Sequence, residues 1–534
     1  MALPLHSSPA SQGKCLPACL LALCILYLSS CASPSPFGKD VSAYPAPGQK
    51  DICPDTHLVL TFPEGTSLQV ASSGTVKVYD ITPGKGRGKC IDTLDLSLPS
   101  GPTNSRTYPP QCDYTRVPYD YSRDFVPTNR STTAGTPSGT AERTPRDMQL
   151  TIIGGFTDGF HFHPVIVNGN RATIYLHNNV LEYGHKYSVA LEGGIIMYRD
   201  GVVKKTSPAV AKGKWTFSTR KEGPGDPLSL VVDSSGEGDF CTLQGALDYV
   251  EDFKEESTLI HVKAGDYEEI VYARNKTNLI IEGEGSDRTR VHYANNEVFN
   301  PHPLTVKTNE RKGTFPQRRQ AVGLDNCSDI VIRDIAFATD LKGQAEGLLL
   351  NCERAALYRV LIQGSGDALQ ANGSIYMQDC TIEGDGDTIL GRGALFGYRC
   401  TVRNSGGPLS WVRNFDPAHG DVFVESHFEG KEGSPADWGR SQFNHGSVYP
   451  DAEFVVIDCT VSQFNPIGWS EIGEKTARMW EVGTRDKATG KPVDTSRRHP
   501  NSRRLDPVRD ASIIASYRDP AFVLGGWKPA DCPL

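Results

Sequence analysis

The sequence of 534 residues has no excess of basic charge, and this excludes one large class of function. Lys and Arg number 55 against 63 Asp and Glu, which gives a formal net charge of −8, and the four residue types are intermixed along the chain. An acidic protein without a basic patch has nothing with which to neutralise the phosphates of a nucleic acid. We therefore expect no nucleic-acid partner.

The chain also lacks the usual metal-binding patterns. Its 14 cysteines form no Cys-x-x-Cys pair, and no cluster of histidines accompanies them. Structural and catalytic zinc sites are recognised by such spacings. We expect no metal and no other cofactor.

Helical periodicity is missing from most of the second half, where a polar residue followed by a cysteine recurs instead. The pairs are Asn326-Cys327, Asn351-Cys352, Asp379-Cys380, Arg399-Cys400 and Asp458-Cys459. Short apolar or alternating runs accompany them, and glycine-rich turns separate the runs. Strands of this length and spacing favour a solenoid of parallel strands over a βαβ fold. We predict an all-β protein built on a parallel β-helix, with the cysteines stacked inside the coil as small apolar side chains.

Two of the glycine-rich turns, at residues 364–369 and 384–391, place Asp367 and Asp387 at equivalent points twenty residues apart. That interval is about one coil, and strands of successive coils lie ~4.8 Å apart. Two carboxylates stacked so closely do not both ionise freely, so one pKa is expected to rise and the other to stay low. The residues alone leave open whether Asp385 or Asp387 is the reactive one, because both point the same way by strand period.

The N-terminus reads as a leader. Lys14 precedes an apolar run from Cys15 to Leu28 that is too short to span a bilayer as a mature helix. The run ends in Leu28-Ser29-Ser30-Cys31, which resembles the lipobox of bacterial lipoproteins. That resemblance implies cleavage before Cys31, acylation of its sulfur and, because Ala32 follows it, sorting to the outer membrane of a Gram-negative cell. An ordinary secretory signal is the alternative.

A second pattern follows a short linker. Alternating strands recur between residues 58 and 219, interrupted near residues 99–147 by a polar stretch rich in Pro, Thr, Ser and Arg. They predict a small antiparallel sandwich with a long inserted loop, and the segment from Tyr187 to Phe217 resembles bacterial immunoglobulin-like domains. One pair among Cys53, Cys90 and Cys112 could be bridged in an oxidising compartment, but the sequence does not say which. We expect this domain to act as a spacer.

From Leu230 onward the chain resembles the pectin methylesterases, over nearly all of its remaining length. The resemblance rests on several motifs in order: Gly343-Gln344-Ala345-Glu346-Gly347, Gly364-Ser365-Gly366-Asp367, Gly384-Asp385-Gly386-Asp387-Thr388, Trp438-Gly439-Arg440 and Pro466-Ile467-Gly468-Trp469. It implies a right-handed, pectin-lyase-like β-helix. Together with the leader, the linker and the sandwich described above, this divides the chain into four segments. These are a signal peptide (1–30), a linker (31–50), the sandwich (51–221) and the β-helix (226–534).

The resemblance also implies a site. Asp387 falls at the nucleophile, Asp367 at the acid/base, Gln344 at an oxyanion donor and Arg440 at the arginine beside the nucleophile. Trp469 falls in a segment that lines the substrate cleft, and Gly366 and Thr388 occupy substrate-binding positions. A carboxylate nucleophile acting on an uncharged ester needs such oxyanion donors, and an arginine beside Asp387 would lower the pKa of that aspartate and fix its orientation.

The chain departs from the family at some of these positions. Gly366 stands where a glutamine usually supplies a second oxyanion donor, and loss of such a donor typically costs ~10²–10³ in rate. Gly386 and Thr388 replace apolar and aromatic residues around the nucleophile, and Gln442 stands where a cleft tryptophan is common. These differences bear on the rate and on the preferred ester.

The resemblance implies an esterase that releases methanol from methylated galacturonate in pectin and leaves pectate. The polysaccharide partner is then homogalacturonan. We expect a monomer in the cell envelope, attached to the membrane only through a lipid anchor. Two alternatives remain: an esterase or thioesterase of altered substrate, since some outer-membrane lipoproteins of this family are thought to hydrolyse thioesters, and a non-catalytic β-helix that binds polysaccharide.

Overall fold

The computed structural model describes residues 35–84, 88–101, 149–151, 153–154, 160–200, 202–300, 318–404, 406–414, 417–441 and 448–533. The predicted leader, Cys31, Cys112, Gln442 and nearly all of the predicted insertion lie outside these ranges. Within them, no helix is both long enough and apolar enough to cross a membrane.

The first 14 strands form four small sheets in the N-terminal part of the chain. The sheets have the orders β1-β3-β10-β9, β2-β14-β11-β5-β6, β13-β12-β4 and β7-β8, and all their pairings are antiparallel except β2 with β14. The strands are β1 Ser42–Tyr44, β2 Gln49–Ile52, β3 Leu58–Thr61, β4 Ser67–Val70, β5 Thr75–Asp80, β6 Lys89–Asp95, β7 Leu150–Thr151, β8 Phe160–His161, β9 Val165–Asn168, β10 Arg171–Ile174, β11 Lys186–Glu192, β12 Ile196–Asp200, β13 Val203–Thr206 and β14 Val210–Thr219.

The remaining strands stack as successive coils. They are β15 Ser229–Val232, β16 Thr258–Val262, β17 Gly265–Glu268, β18 Val271–Arg274, β19 Thr277–Gly283, β20 Thr289–Tyr293, β21 Val322–Arg333, β22 Ala336–Thr339, β23 Leu348–Tyr358, β24 Leu361–Gln363, β25 Leu369–Gln378, β26 Thr381–Gly384, β27 Ile389–Gly391, β28 Ala394–Tyr398, β29 Thr401–Asn404, β30 Ser410–Val412, β31 Asp421–Val424, β32 His427–Glu429, β33 Gly439–Ser441, β34 Glu453–Ile457, β35 Thr460–Ser462, β36 Trp469–Ile472, β37 Arg478–Val482, β38 Arg485–Asp486 and β39 Arg503–Arg504. The helices are α1 Leu243–Tyr249, α2 Ala511–Arg518 and α3 Pro520–Val523.

These later strands form two long parallel sheets. One runs β15-β16-β19-β21-β23-β25-β28-β31-β34-β37-β39 and carries the short strands β27, β30, β33 and β36 as a side strip; the other runs β17-β20-β22-β24-β26-β29-β32-β35-β38. Each strand therefore pairs with its counterpart one coil away. The predicted parallel β-helix is confirmed.

A backbone bend explains the repeat of a polar residue before cysteine. Asn326, Asp379, Arg399 and Asp458 all have φ of +52°, a left-handed conformation that Asn and Asp tolerate better than most residues. The cysteine that follows each of them turns inward and is at most 1% exposed. The interior position predicted for these cysteines is confirmed.

Of the three cysteines that the sequence offered for a disulfide, Cys53 and Cys90 lie within the described residues. Cys90 is exposed, whereas Cys53 is buried and has its sulfur within 4.8 Å of the sulfur of Cys241, at the start of the β-helix. All three thiols are unbridged. The neighbour of Cys53 in the described part of the chain is thus Cys241, which lies outside the set of three that the sequence offered.

The N-terminal sheets share an apolar core with the first coils of the β-helix. Phe160 packs on Tyr272 with ring centroids 5.6 Å apart, and His163 stacks on Phe299 at 4.5 Å. Asp55 adds a polar link, because its Oδ2 accepts hydrogen bonds from the backbone N–H groups of Cys241 and Thr242, both at 2.8 Å, just before α1. The N-terminal part is therefore packed onto the β-helix at this junction.

Candidate functional site

The two aspartates of the glycine-rich turns lie on successive coils. Leu369 of β25 pairs with Ile389 of β27, and Asp367 and Asp387 each come two residues before these partners. Both carboxylates are largely shielded, with side-chain exposures of 9% and 12%. The structure thus brings together the two side chains that the twenty-residue spacing singled out.

Arg440 holds Asp387 with two parallel hydrogen bonds. Its Nε donates to Asp387 Oδ1 at 2.8 Å and its Nη2 donates to Oδ2 at 2.5 Å. Arg440 reaches this position from β33, whose register places it opposite Trp411 of β30. Such a two-pronged contact fixes the plane of a carboxylate as well as its charge.

Asp367 has a different environment, made by two residues to which the sequence assigned no role. Arg319 Nη2 donates to Asp367 Oδ2 at 2.6 Å, and the same guanidinium donates to both carboxylate oxygens of Glu346 at 2.7–3.0 Å. Glu346 is fully buried. It lies in the motif that carries Gln344, so the motif marked its position, whereas Arg319 comes from a part of the chain 48 residues before Asp367.

Burial raises the pKa of Asp367 to about 7, against the opposing charge of Arg319, and the negative charges of Glu346 and Asp387 also raise it. The nearby positive charge of Arg413 lowers it. A carboxyl group in this range holds a proton near neutral pH and can both give it up and take it back. Asp367 therefore has the properties of a general acid and base.

Gln344 lies on the exposed side of Arg319. Its side-chain oxygen accepts a hydrogen bond from Arg319 Nη1, which fixes the orientation of the amide. The amide nitrogen is then directed away from Arg319 and can serve as a donor.

Gly366 forms a tight turn between the two coils. Its φ is +71°, and a Cβ added to it would lie 2.8 Å from the carbonyl oxygen of Gly343. Its N–H donates to Asp385 Oδ1 at 2.5 Å, and Ser365 Oγ donates to the same oxygen at 3.0 Å. The Gly366 amide is occupied, so it does not replace the missing glutamine donor, and Asp385 braces the turn that carries Asp367.

Two of the predicted substrate-binding side chains, those of Thr388 and Trp469, are buried in the structure. Thr388 is fully buried and its Oγ1 accepts a hydrogen bond from Asn404 Nδ2 at 3.0 Å, so it supports the Asp387 turn from within. Trp469 is also fully buried and packs on Trp438 at a centroid distance of 4.6 Å. The tryptophan beside the site is Trp411, which is partly exposed and lies 4.7 Å from the Arg440 guanidinium.

One group of potential metal ligands occurs among the described residues. It consists of Cys53, Asp55 and Cys241, whose ligand atoms lie within 4.8 Å of one another. These residues belong to the junction with the N-terminal sheets and not to the turns that carry Asp367 and Asp387.

The sequence and the fold are similar to those of known proteins. The pectinesterase family model matches residues 229–418, a segment that contains Arg319, Gln344, Glu346, Asp367 and Asp387. Pectinesterase/pectinesterase inhibitor 3 of Arabidopsis thaliana is 29% identical over 175 residues, which cover 30% of this chain and 29% of that protein. Probable pectinesterase 55 of the same plant is 27% identical over 334 residues, 58% of this chain and 92% of that protein.

Among solved structures, the pectin methylesterase from carrot is similar, with a TM-score of 0.45, 20% sequence identity and coverage of 57% of this chain and 95% of that one. The chain spans less than a third of the length of the Arabidopsis pectinesterase/pectinesterase inhibitor 3 that it matches. The aspartates on successive coils thus lie in a segment, residues 229–418, whose sequence matches the pectinesterase family model.

Proposed function

We propose that this protein hydrolyses methyl esters of galacturonate in pectin, with Asp387 as nucleophile and Asp367 as acid and base. The observation that carries the proposal is the contrast between the two carboxylates. Asp387 is clamped by Arg440 through both oxygens, whereas Asp367 has a pKa raised to about 7. One group is thus prepared to attack and the other to carry a proton.

In the first half-reaction, an oxygen of Asp387 attacks the ester carbonyl and forms a tetrahedral intermediate. The Gln344 amide donates to the oxygen that gains negative charge. When the bond to the methoxy oxygen breaks, Asp367 gives its proton to that oxygen and methanol leaves. The sugar acyl group is then joined to Asp387 as an anhydride.

In the second half-reaction, Asp367 takes a proton from a water molecule that attacks the acyl carbon. The bond to Asp387 breaks, galacturonate leaves as a free acid that ionises in solution, and both aspartates return to their starting states. Arg319 and Glu346 hold Asp367 in place throughout. The net change is one ester and one water converted into one carboxylic acid and one methanol.

The test is methanol release from highly methylated homogalacturonan by the full chain, with and without a chelator. Asp387→Ala and Asp367→Ala should each lose about 10²–10⁴-fold or more in turnover while they melt at nearly the wild-type temperature. Asp385→Ala should keep measurable activity, because Asp385 braces a turn and takes no part in the chemistry. Glu353→Gln, at an exposed position, is the neutral control.

Each alternative has its own outcome in this experiment. Acyl thioesters cleaved far faster than pectin would show that the substrate is wrong. Polysaccharide binding without turnover of either ester would show a non-catalytic protein. An active Asp387→Ala variant beside an inactive Asp385→Ala variant would reverse the assignment of the nucleophile, and loss of activity with chelator would contradict a metal-free reaction.

We also propose that the mature chain is anchored through an acylated Cys31 in the bacterial outer membrane and acts there as a monomer. The lipobox-like sequence that ends at Cys31 supports the anchor. Fatty-acid labelling of the wild type and of Cys31→Ser tests it: label in the wild type alone is expected, and equal labelling of both would contradict it.

A further inference from the structure

Two cysteines from distant parts of the chain meet at the junction between the N-terminal sheets and the β-helix. Cys53 follows β2, and Cys241 lies just before α1. Their sulfur atoms lie within 4.8 Å of each other. Both sulfurs also lie against Gly236: Cys53 Sγ is 3.8 Å from its carbonyl oxygen, and a Cβ added to this glycine would lie 3.8 Å from Cys241 Sγ. The two thiols therefore occupy one shared space.

Hydrogen bonds that do not involve the sulfurs hold the two cysteine segments together. Arg220 donates from Nε to the carbonyl oxygen of Asp51 at 3.2 Å, and from Nη2 to the loop that precedes Cys241 at 3.0 Å. On the other side of Cys53, Asp55 accepts a hydrogen bond from the Cys241 N–H at 2.8 Å. The backbone on both sides of Cys53 is thus fixed against the segment that carries Cys241. Reacting groups held in this way behave as if they were at a high concentration.

The surroundings of the pair suit a neutral group. The Cys53 thiol, burial and the negative charge of Asp55 all raise the pKa of Cys241. The Cys53 thiol donates to the carbonyl oxygens of Gly236 and Gly238, with the sulfur 3.8 and 3.7 Å from them. A metal ion bound by two cysteines requires both as thiolates, whereas a disulfide carries no charge. A disulfide is therefore favoured over a metal ion at this place.

We propose that Cys53 and Cys241 are joined by a disulfide when the protein meets a low-molecular-weight disulfide, for which oxidised glutathione is the probe. This modification is independent of the proposed esterase reaction. Cys241 lines a groove of about 590 Å³ together with Tyr44 and Thr56, whereas Cys53 is 0% exposed. The oxidant therefore reacts first with Cys241, from the groove, and Cys53 completes the bond from the interior.

The reaction consists of two thiol–disulfide exchanges. Cys241 loses its proton and attacks one sulfur of glutathione disulfide, whose S–S bond breaks, and one glutathione leaves as a thiolate that takes up a proton. Cys53 then loses its proton and attacks the Cys241 sulfur, so that the second glutathione leaves in the same way. Two cysteine thiols are oxidised to one disulfide, and one glutathione disulfide is reduced to two thiols. Because each exchange needs a thiolate, the rate should rise with pH.

The bond closes a loop of about 190 residues that contains β3 to β15, and long loops gain most from such a link. It also ties the N-terminal sheets to α1, whose Leu243, Ala246 and Leu247 belong to the core of the β-helix. Oxidation should therefore stabilise the junction and the first coils together.

The test starts from the fully reduced full chain, which is incubated with glutathione disulfide and mapped by mass spectrometry without reduction. We expect a peptide that links Cys53 to Cys241, formed faster at about pH 8.5 than at about pH 7. The linked form should melt about 5–10 °C above the reduced form. Cys53→Ser and Cys241→Ser should lose both the linked peptide and this difference. Cys90→Ser, at an exposed thiol, is the control and should keep both.

Three results would overturn the proposal. Cys53 and Cys241 could both be recovered as thiols after Cys90 has reacted with glutathione, or either could be linked to a different cysteine. Zinc could also bind to the reduced, chelator-treated protein at one equivalent, in a way that both serine variants abolish and that prevents the link, which would show a metal site. If a serine variant does not fold, peptide maps and melting temperatures of the wild type and Cys90→Ser, oxidised and reduced, still decide between these results.

Discussion

Asp367 is a residue whose chemistry is set by its neighbours. Glu346 and Asp387 disfavour its ionised form, and Arg319 favours that form through a hydrogen bond of 2.6 Å. Burial is the largest influence and raises the pKa to about 7. The protonated form that the proposed mechanism requires is thus populated near neutral pH and is lost above it.

The pH profile of methanol release follows from this. The value of kcat/KM should fall as the pH rises through about 7, because Asp367 loses its proton. Glu346→Gln removes a negative charge that raises this pKa, so the descending limb should move to lower pH. Glu297→Gln, whose partly exposed carboxylate lies 3.5 Å from Arg319, should move it less. If the descending limb of the kcat/KM profile lies at the same pH in Glu346→Gln as in the wild type, a group other than Asp367 is responsible for it.

Gly366 gives a second prediction at this scale. Replacing it with glutamine restores a donor common in the family, but the backbone has φ of +71° and the new Cβ would lie 2.8 Å from the Gly343 carbonyl oxygen. A side chain at such a position costs about 1–3 kcal/mol. We expect Gly366→Gln and Gly366→Ala both to melt earlier and to release methanol more slowly than the wild type. Faster turnover of Gly366→Gln on linear and branched pectin alike would show that the missing donor outweighs the strain.

At the scale of elements, a ladder of polar side chains crosses the buried strands β21, β23 and β25. Asn372 Nδ2 donates to Asn351 Oδ1 at 2.7 Å, and Asn351 Nδ2 donates to Asp325 Oδ1 at 3.0 Å. Tyr272 donates to the other oxygen of Asp325 at 2.9 Å. Each coil therefore satisfies the polar group of the next one, and this fixes the register between coils.

Breaking the middle of this ladder should destabilise the β-helix. Asn351→Ala removes the acceptor of Asn372 and a donor to Asp325 at once, and a buried polar group left unpaired costs about 1–3 kcal/mol. Denaturant unfolding should show that the free energy of unfolding of Asn351→Ala falls by that amount or more. Glu353→Ala, at an exposed position on the same strand, is the control and should unfold like the wild type. A stability of Asn351→Ala equal to that of Glu353→Ala would show that the ladder is incidental.

The coils could be predicted from the sequence because the residues that form each bend and turn are close together in the chain. The bend before a cysteine recurs at Asn326, Asp379, Arg399 and Asp458, and the spacing of Asp367 and Asp387 follows from the length of one coil. Arg319 was missed because its partners Glu346 and Asp367 come 27 and 48 residues later in the chain. The burial of Thr388 and Trp469 could not be predicted, because a motif gives a position in the sequence and does not give the direction of a side chain.

For the molecule as a whole, buried carboxyl groups link stability to pH. Burial raises the pKa of Asp421 to about 7, although a hydrogen bond from Ser410 at 2.6 Å opposes the rise. The unfolded chain ionises near pH 4, so the stabilising contribution of Asp421 is complete below that pH and is lost as the pH rises to about 7. Above about pH 7, Asp421 causes no further loss of stability.

Asp421→Asn isolates this effect, because the amide oxygen can keep the Ser410 contact. Relative to the wild type, the variant should gain unfolding free energy as the pH is raised from 4 to 7 and then hold a constant difference. Denaturant unfolding across this range measures it, with the exposed Glu432→Gln as control. A difference that does not vary with pH would mean that Asp421 is ionised in the folded protein throughout.

The junction between the N-terminal sheets and the first coils also limits how such a protein can evolve. A single apolar core contains Phe160 and Phe162 from one side and Tyr272, Tyr293 and Phe299 from the other. A gene rearrangement that cut the chain near residue 226 would leave these rings facing solvent, however permissive the linker. We therefore expect these two parts to be exchanged between proteins less readily than domains that are joined only by a linker.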